Sequence, residues 1–394
     1  MPPILTKEFV MRATLLAACL VAAGVSHQTV QGQEVERFSL SGNKVAVFNL
    51  AGEVRVEAGT GSAVVVEVMR GGSDADRLAI RTGDVEDWRS LRVVYPSDQI
   101  VYQPLGRFSR SNFRVDRDGT FGGRILHARL DDSGFDLSAS LRLGGDDVRV
   151  SGRGSGLEAW ADLRVLVPAG HTVAVQLGVG KVHINNVNGH VRVDARSGSV
   201  DANMVDGSLL VLTGSGRVDV SNARGHVRID TGSGGVQADH IAGGTLFIDT
   251  GSGSIEANSI ETRAASMGTG SGGIRVDRIT APELKLDTGS GSIQARAVNA
   301  QTLSLDTGSG SILLDLLSDV RNARIDTGSG SVTLGVPAVL GAELEVDTGS
   351  GGIHSEVPLQ VITQKRSHLR GRLGDGNGRI VIDTGSGGVR LRAN

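Results

Sequence analysis

Aromatic side chains are scarce in this chain: two tryptophans, two tyrosines and eight phenylalanines among 394 residues. A core built on stacked rings is excluded, so the core must be aliphatic. Proline is also rare, at 8 residues, so the 57 glycines do not signal a collagen or polyproline architecture. The single cysteine, Cys19, rules out an internal disulfide and thiol chemistry built on paired cysteines. Neither sign of charge prevails: 40 basic residues face 43 acidic ones, for a formal net charge of −3. This near-balance favours neither nucleic acid nor an anionic membrane as a bulk partner.

The apolar run Ala13 to Val25 is too short to cross a bilayer, which takes about 20 residues. It follows Lys7 and Arg12 and has the flanks of a secretion signal. Small residues around Val30-Gln31-Gly32 place cleavage there, which predicts a signal peptide over residues 1–32 and a mature chain from Gln33. Met11 serves equally well as the start. Cys19 sits in the middle of the apolar run rather than behind it, which disfavours a lipoprotein anchor. The expected location is exported: periplasmic, outer-membrane-associated or extracellular. The mature chain is expected to have no transmembrane segment.

What the chain has in abundance is a repeat. T-G-S-G occurs nine times, and the longer unit D-T-G-S-G-x-(V/I) starts at Asp230, Asp249, Asp287, Asp306, Asp326, Asp347 and Asp383. Degenerate copies start at Asp194, Leu212 and Gly268. The steps between copies are 18 to 21 residues, except for a last step of 36. A short fixed period marks a solenoid, in which each coil buries its apolar face against its neighbours. Within a unit, Val227, Ile229 and Thr231 alternate with Arg228 and Asp230; after the Gly-Ser-Gly turn, Val236, Ala238 and Ile241 take the inward positions. Aligned copies keep these columns apolar: one runs from Val193 through Leu286 to Ile382, one from Val200 through Ile293 to Val389, and one from Val205 through Val298 to Leu317.

Three inward columns predict an all-β fold, a triangular parallel β-helix with coils of 18–20 residues and right-handed by the usual crossover rule. About a dozen coils would make a rod of about 55 Å. The Asp of each unit is expected to cap the turn and the following Gly to take positive φ. The last step of 36 residues predicts two coils, one of them degenerate and carrying Lys365, Arg366, Arg370 and Arg372. Arg390 and Arg392 would then put charge on the terminal edge.

Upstream the composition changes. Eleven of the twelve aromatics lie in the first 160 residues, and the array beyond has only Phe247. This predicts an N-terminal β-rich region, residues 33–165, with a polar insertion at 96–156, followed by the array and its C-terminal cap at 166–394. Phe38 to Met69 alternates like paired strands, and weak strand signals occur near Arg124–Leu130 and Leu137–Leu143. The aromatic-rich region is expected to cap one end of the stack, burying Phe48 and Trp160.

In these features the chain resembles the bacterial DUF4097 family of presumed adhesins, which is similar in turn to the DUF2807 head-domain adhesins. The likeness rests on the Asn49-Leu50-Ala51-Gly52-Glu53-Val54 turn, the Leu166-Val167-Pro168-Ala169-Gly170 entry to the array, the D-T-G-S-G coils and the closing Gly374-Asp375-Gly376-Asn377-Gly378. The resemblance implies an exported β-solenoid of adhesin type and brings no catalytic residues. The 96–156 insertion is outside it.

Motifs with chemical precedent reduce to structure. D-T-G-S is also the signature of pepsin-like aspartic proteases, but that chemistry needs two carboxylates sharing a proton. Seven copies pointing one way along a stack do not face each other, so the column Asp230, Asp249, Asp287, Asp306, Asp326, Asp347 and Asp383 is assigned to turns. Calcium is disfavoured because the Asp precedes the glycines instead of following them. His190 and His226 fall two coils apart, too far to share a metal. The glycines lack the Lys-Ser/Thr of a phosphate loop. No catalytic, cofactor-binding or metal-binding residue is assigned, and no cofactor.

The reading is an exported, non-enzymatic, monomeric β-solenoid that serves as a binding or structural module. Its partner is an envelope, surface, polysaccharide or protein component. The rival is a carbohydrate-active β-helix enzyme, which would need clustered carboxylates and aromatic platforms breaking the repeat. A third reading is an envelope-associated regulatory or sensor component.

Overall fold

A computed structural model describes residues 25–30, 33–131, 134–136 and 145–394. Most of the expected signal peptide, and the Leu137–Leu143 strand signal, lie outside the described residues.

The chain is a parallel β-solenoid. Strands that are one repeat apart pair in parallel and in register: Val218 with Val236, Val236 with Ile255, Ile255 with Ile274, and Ile274 with Ile293. The strand ahead of each turn stacks likewise, Ile229 on Ile248, Met267, Leu286 and Leu305 in succession. All of these side chains are buried. Each aliphatic side chain so buried contributes about 1.5–3 kcal/mol, which no single coil could gain alone. The stack begins earlier than the T-G-S-G copies: Lys44–Ala58 forms a coil in parallel register beneath His171–Thr213, Lys44 opposite Thr172 through Glu57 opposite Asn185. The other side of that coil is closed by Trp88–Val94 and Trp160–Val167, and antiparallel strands then follow. Asn49, fully buried, ties these layers together by donating to Ala161 O at 2.6 Å, while the Tyr95 hydroxyl lies 2.7 Å from Asn49 Oδ1.

The insertion folds as a four-stranded sheet of Gln99–Val101, Arg110–Val115, Asp146–Ser151 and Leu157–Glu158. Of the strand expected near Arg124–Leu130, the first part, Arg124–Leu126, is a 3-10 helix, and a strand follows at Arg129–Asp131, antiparallel to Gly134–Asp136. The apolar side of the insertion lies on the outer face of the first coils, where Phe113, Phe121 and Ile125 cluster with Phe48, Leu210 and Leu212. Arg192 donates to Ile125 O at 2.9 Å and stands 5.2 Å from the Trp88 ring. Phe48 is buried, but Trp160 is only half-buried, edge-on to Tyr102 at 5.8 Å.

The turn glycines serve a different purpose from the one expected. No glycine of the T-G-S-G copies has positive φ. A Cβ on Gly291 would instead fall 1.8 Å from Gly272 O, and one on Gly310 would fall 1.9 Å from Gly291 O. The coils stack carbonyl against Cα at this corner, so the requirement is for closeness, not for a left-handed backbone. The turn is capped from inside by the threonine. Thr288 Oγ1 donates to Gly272 O of the preceding coil at 2.8 Å and accepts from Gly291 N at 3.1 Å. The same pair of bonds recurs at Thr250, Thr269, Thr307, Thr327 and Thr384.

Two expectations fail at the C-terminal end. Leu317 is not in the inward column; it is 58% exposed, and Leu316 is buried in its place after a register shift opposite Ala295–Val298. The last 36-residue step is not two successive coils. Gly378–Thr384 lies between Asn322–Thr327 and Ala342–Thr348, parallel to both, with Ile382 between Ile325 and Val346. Val389–Ala393 likewise lies between Val332–Val336 and Ile353–Ser355. The chain therefore passes over one level of the stack and fills it on its return. The basic segment between them is a hairpin, Gln360–Gln364 with His368–Leu373, whose second strand pairs antiparallel with Ala342–Thr348. Arg390 and Arg392 are consequently not on the terminal edge; they pair with Glu356 and Asp315 of neighbouring coils.

Candidate ligand groove at the coil corner

Between inward Ala238 and Ile241 two residues intervene instead of one, so alternation breaks and the strand turns a corner. The second of the two takes a left-handed backbone in every coil from Asn186 to Ala297, with φ between 51° and 56°. The residues are Asn186, Met204, Asn222, His240, Ser259, Arg278 and Ala297. Only Asn adopts this conformation readily, so the other side chains are held there by the ladders on both sides. The bend makes the outer surface concave. The resulting groove runs along the stack across these seven coils and encloses about 800 Å³.

Its rim is a polar ladder built from the bend residues and those one position ahead of them. Asn203 Nδ2 donates to Asn185 Oδ1 at 3.1 Å, Asn222 Nδ2 to Asn203 Oδ1 at 2.9 Å, and Asn258 Nδ2 to Asp239 Oδ1 at 2.9 Å. Arg278 reaches Asn258 Oδ1 at 2.7 Å and Asp277 at 2.9 Å. Inside the groove Asp206, Arg224 and Glu261 add charges of both signs, and Met204 is 45% exposed. Such a surface offers donors and acceptors repeated at the coil spacing of about 4.8 Å, suited to an extended partner lying along the rod.

The residues singled out from sequence lie elsewhere. The Asp column stands on the outer face just ahead of the turn, in one line from Asp230 through Asp249, Asp287, Asp306 and Asp326 to Asp383 and then Asp347. Burial, followed by the neighbouring carboxylates, holds Asp249, Asp306 and Asp383 above the ordinary carboxylate range. Lys285 and Arg324 lie 4.0 and 3.0 Å from the Asp two positions on. His190 and His226 do not meet; each contacts a hydroxyl of the next coil, Ser208 and Thr245. Among the described residues no three His, Cys, Asp or Glu side chains converge as a metal site would require. Burial raises the Tyr95 phenol, and pushes Tyr102 up to about 12, so both stay neutral as packing groups.

The groove escaped the sequence reading because its residues share no type. The available signal was the three-residue step from Ala238 to Ile241, repeated at Ala257–Ile260 and Val276–Ile279.

No curated protein matches the chain. A solved structure described as "a putative cell adhesion protein from Clostridium sporogenes" aligns over 92% of this chain and 100% of its own, at 7% identity and a TM-score of 0.17. That score is too low for the likeness to bear on fold or function. The family comparison is more definite: residues 213–392, which hold the T-G-S-G array, match the Toastrack DUF4097 family.

Proposed function

We propose that the protein is an exported, non-enzymatic β-solenoid of adhesin type, which holds an extended envelope or surface polymer along its corner groove. The observation that carries the reading is the groove itself: seven successive coils bent at the same corner, lined by polar, charged and apolar side chains that change from coil to coil. A rigid scaffold whose inward columns repeat while this corner varies separates stability from recognition. Export is supported by the charged and apolar pattern of residues 7–25. No helix among the described residues is long and apolar enough to cross a membrane. A non-enzymatic role is supported by the Toastrack family match.

The test has two arms. Fractionation of the native host, with N-terminal sequencing of the product, should find a processed chain outside the cytoplasm. Asn222→Arg and Ser259→Arg then block the groove with the residue type already held in the same conformation at Arg278. Together they should weaken binding to purified envelope polysaccharide or surface protein at least about tenfold, roughly 1.4 kcal/mol, with the strand content of the fold retained and only a modest drop in melting temperature from the loss of Asn at the left-handed position. An unprocessed cytoplasmic chain, binding indifferent to both substitutions, or turnover of the polymer would overturn the reading.

A further inference from the structure

The outer face of the strand ahead of the turn carries two side-chain columns. One reads Leu210, Arg228, Phe247, Ser266, Lys285, Ser304 from coil to coil, and the other Leu212, Asp230, Asp249, Gly268, Asp287, Asp306. Leu210 and Leu212 are buried under the insertion. Beyond it the columns have two exceptions. Phe247 is the only aromatic after residue 160, and Gly268 is the one position from Asp230 onward where the second column lacks its carboxylate.

These exceptions are in adjacent coils and open the same hollow. Two recesses of about 350 and 460 Å³ meet there, both lined by Phe247, Ser266 and Lys285. The first is floored by Ala264, Ala265 and Leu284; the second runs across Gly268 between Asp249 and Asp287. A Cβ at Gly268 would lie 3.0 Å from Asp249 Oδ1, so that carboxylate leans over the gap. The Arg228 guanidinium is stacked 4.1 Å from the centre of the Phe247 ring and covers it from the preceding coil, while on the next coil the small Ser266 adjoins it.

We propose that this hollow binds one neutral hexopyranose ring of a polysaccharide. An aromatic ring beside small side chains offers a platform for the apolar C–H face of a sugar. Asp249 and Asp287, two coils or roughly 9.6 Å apart, accept hydroxyl protons from opposite sides, and Lys285 donates between them. Both signs of charge line the hollow: Arg228 and Lys285 on one side of the count, Asp249, Asp287 and Glu283 on the other. A neutral ring therefore fits better than a uronic acid or an amine, either of which would face a like charge. The hollow is on a different face from the corner groove, and the proposal does not depend on that reading.

The test is affinity electrophoresis of the full chain in native gels containing laminarin, glucomannan or mannan, with polygalacturonate as the anionic comparison. At least one neutral polysaccharide should retard the protein. Phe247→Ala should raise the apparent Kd at least about tenfold, and Phe247→Tyr should preserve binding. Gly268→Asp is the sharper variant, since it restores the residue that seven other coils carry and so leaves folding intact, yet it fills the gap and should also abolish retardation. Lack of retardation by any neutral polysaccharide overturns the proposal, as does retardation by polygalacturonate alone. Retardation that survives both Phe247→Ala and Gly268→Asp overturns it too; if that retardation is lost in Asn222→Arg, the sugar lies in the corner groove.

Discussion

From Val218 to Thr307 each coil lies on the one before it, whereas beyond Thr327 the chain passes over a level and fills it only on its return. Both regions use the same inward columns, the same threonine caps and the same close glycine contacts. What differs is when each coil can form. A middle coil needs only its predecessor, so growth is local and of low contact order. The level occupied by Gly378–Thr384 has ladder partners on both sides, one of which, Ala342–Thr348, must be in place before the slot exists. At the N-terminal end both outer strands, Trp160–Val167 and Trp88–Val94, carry an antiparallel neighbour, and at the C-terminal end Ala342–Thr348 does, which stops further parallel addition on those sides.

If the returning coil is an interior one, core truncation there should be as costly as in the middle. Ile382→Ala and Leu286→Ala remove equally buried side chains from ladders paired on both sides. Each is expected to cost about 2–5 kcal/mol in urea denaturation. A small effect at Ile382 beside a large one at Leu286 would mean that the last strands fray as an ordinary terminus.

The same contrast shows what the sequence could and could not reveal. The period, the aliphatic columns and the buried threonines are written in side-chain chemistry that recurs every coil, so they were legible. The order of the last levels was not, because Asp347-Thr348-Gly349 and Asp383-Thr384-Gly385 are identical and either could stack on Asp326. The positive φ expected of the turn glycines failed for a related reason. A glycine needed for closeness and one needed for conformation look alike until the neighbouring coil is known. The Leu316–Leu317 error has the same origin, since either leucine satisfies an apolar column.

Closeness as the reason for the turn glycines gives the next test. Gly291→Ala puts a methyl group where Gly272 O already stands, and an overpacked corner should lose about 1–3 kcal/mol or more. Gly352, in the corresponding turn region near the end of the stack, has nothing within 4 Å of its Cβ position, and Gly352→Ala should be neutral or slightly stabilising. Equal melting temperatures for the two variants would show that the close carbonyl is not what selects glycine in these turns.

A smaller effect separates the threonine from the aspartate beside it. Thr288→Val leaves Gly272 O and Gly291 N without their side-chain partner in a buried corner, and should cost about 1–3 kcal/mol. Thr288→Ser keeps the hydroxyl and should recover most of that loss. If the valine variant melts with the wild type, the hydroxyl bonds are incidental and the turn is held by stacking alone.

The smallest effect concerns the Asp column on the bare outer face. Burial and then the neighbouring carboxylates raise Asp306 in the folded state. A carboxyl so raised adds stability that is fully present below its unfolded pKa, about 3.9, and lost as pH rises through the folded value. The column should therefore cost stability at neutral pH and cost less as the pH falls into the carboxylate range. Asp306→Asn removes one charge from the ladder while keeping the shape, so it should raise the melting temperature slightly at pH 7 and lose that advantage near pH 4. Added salt should shrink the difference at pH 7, because the side chain is exposed and its repulsion is screened. Asp118, lowered by its bonds to Thr120 and its pairing with Arg92, pulls the other way and loses its contribution on acidification. The comparison must accordingly be variant against wild type at each pH, which cancels that term. A variant less stable than wild type at pH 7 would mean that the carboxylate bonds the turn more strongly than it repels its neighbours, and that the column is a cap after all.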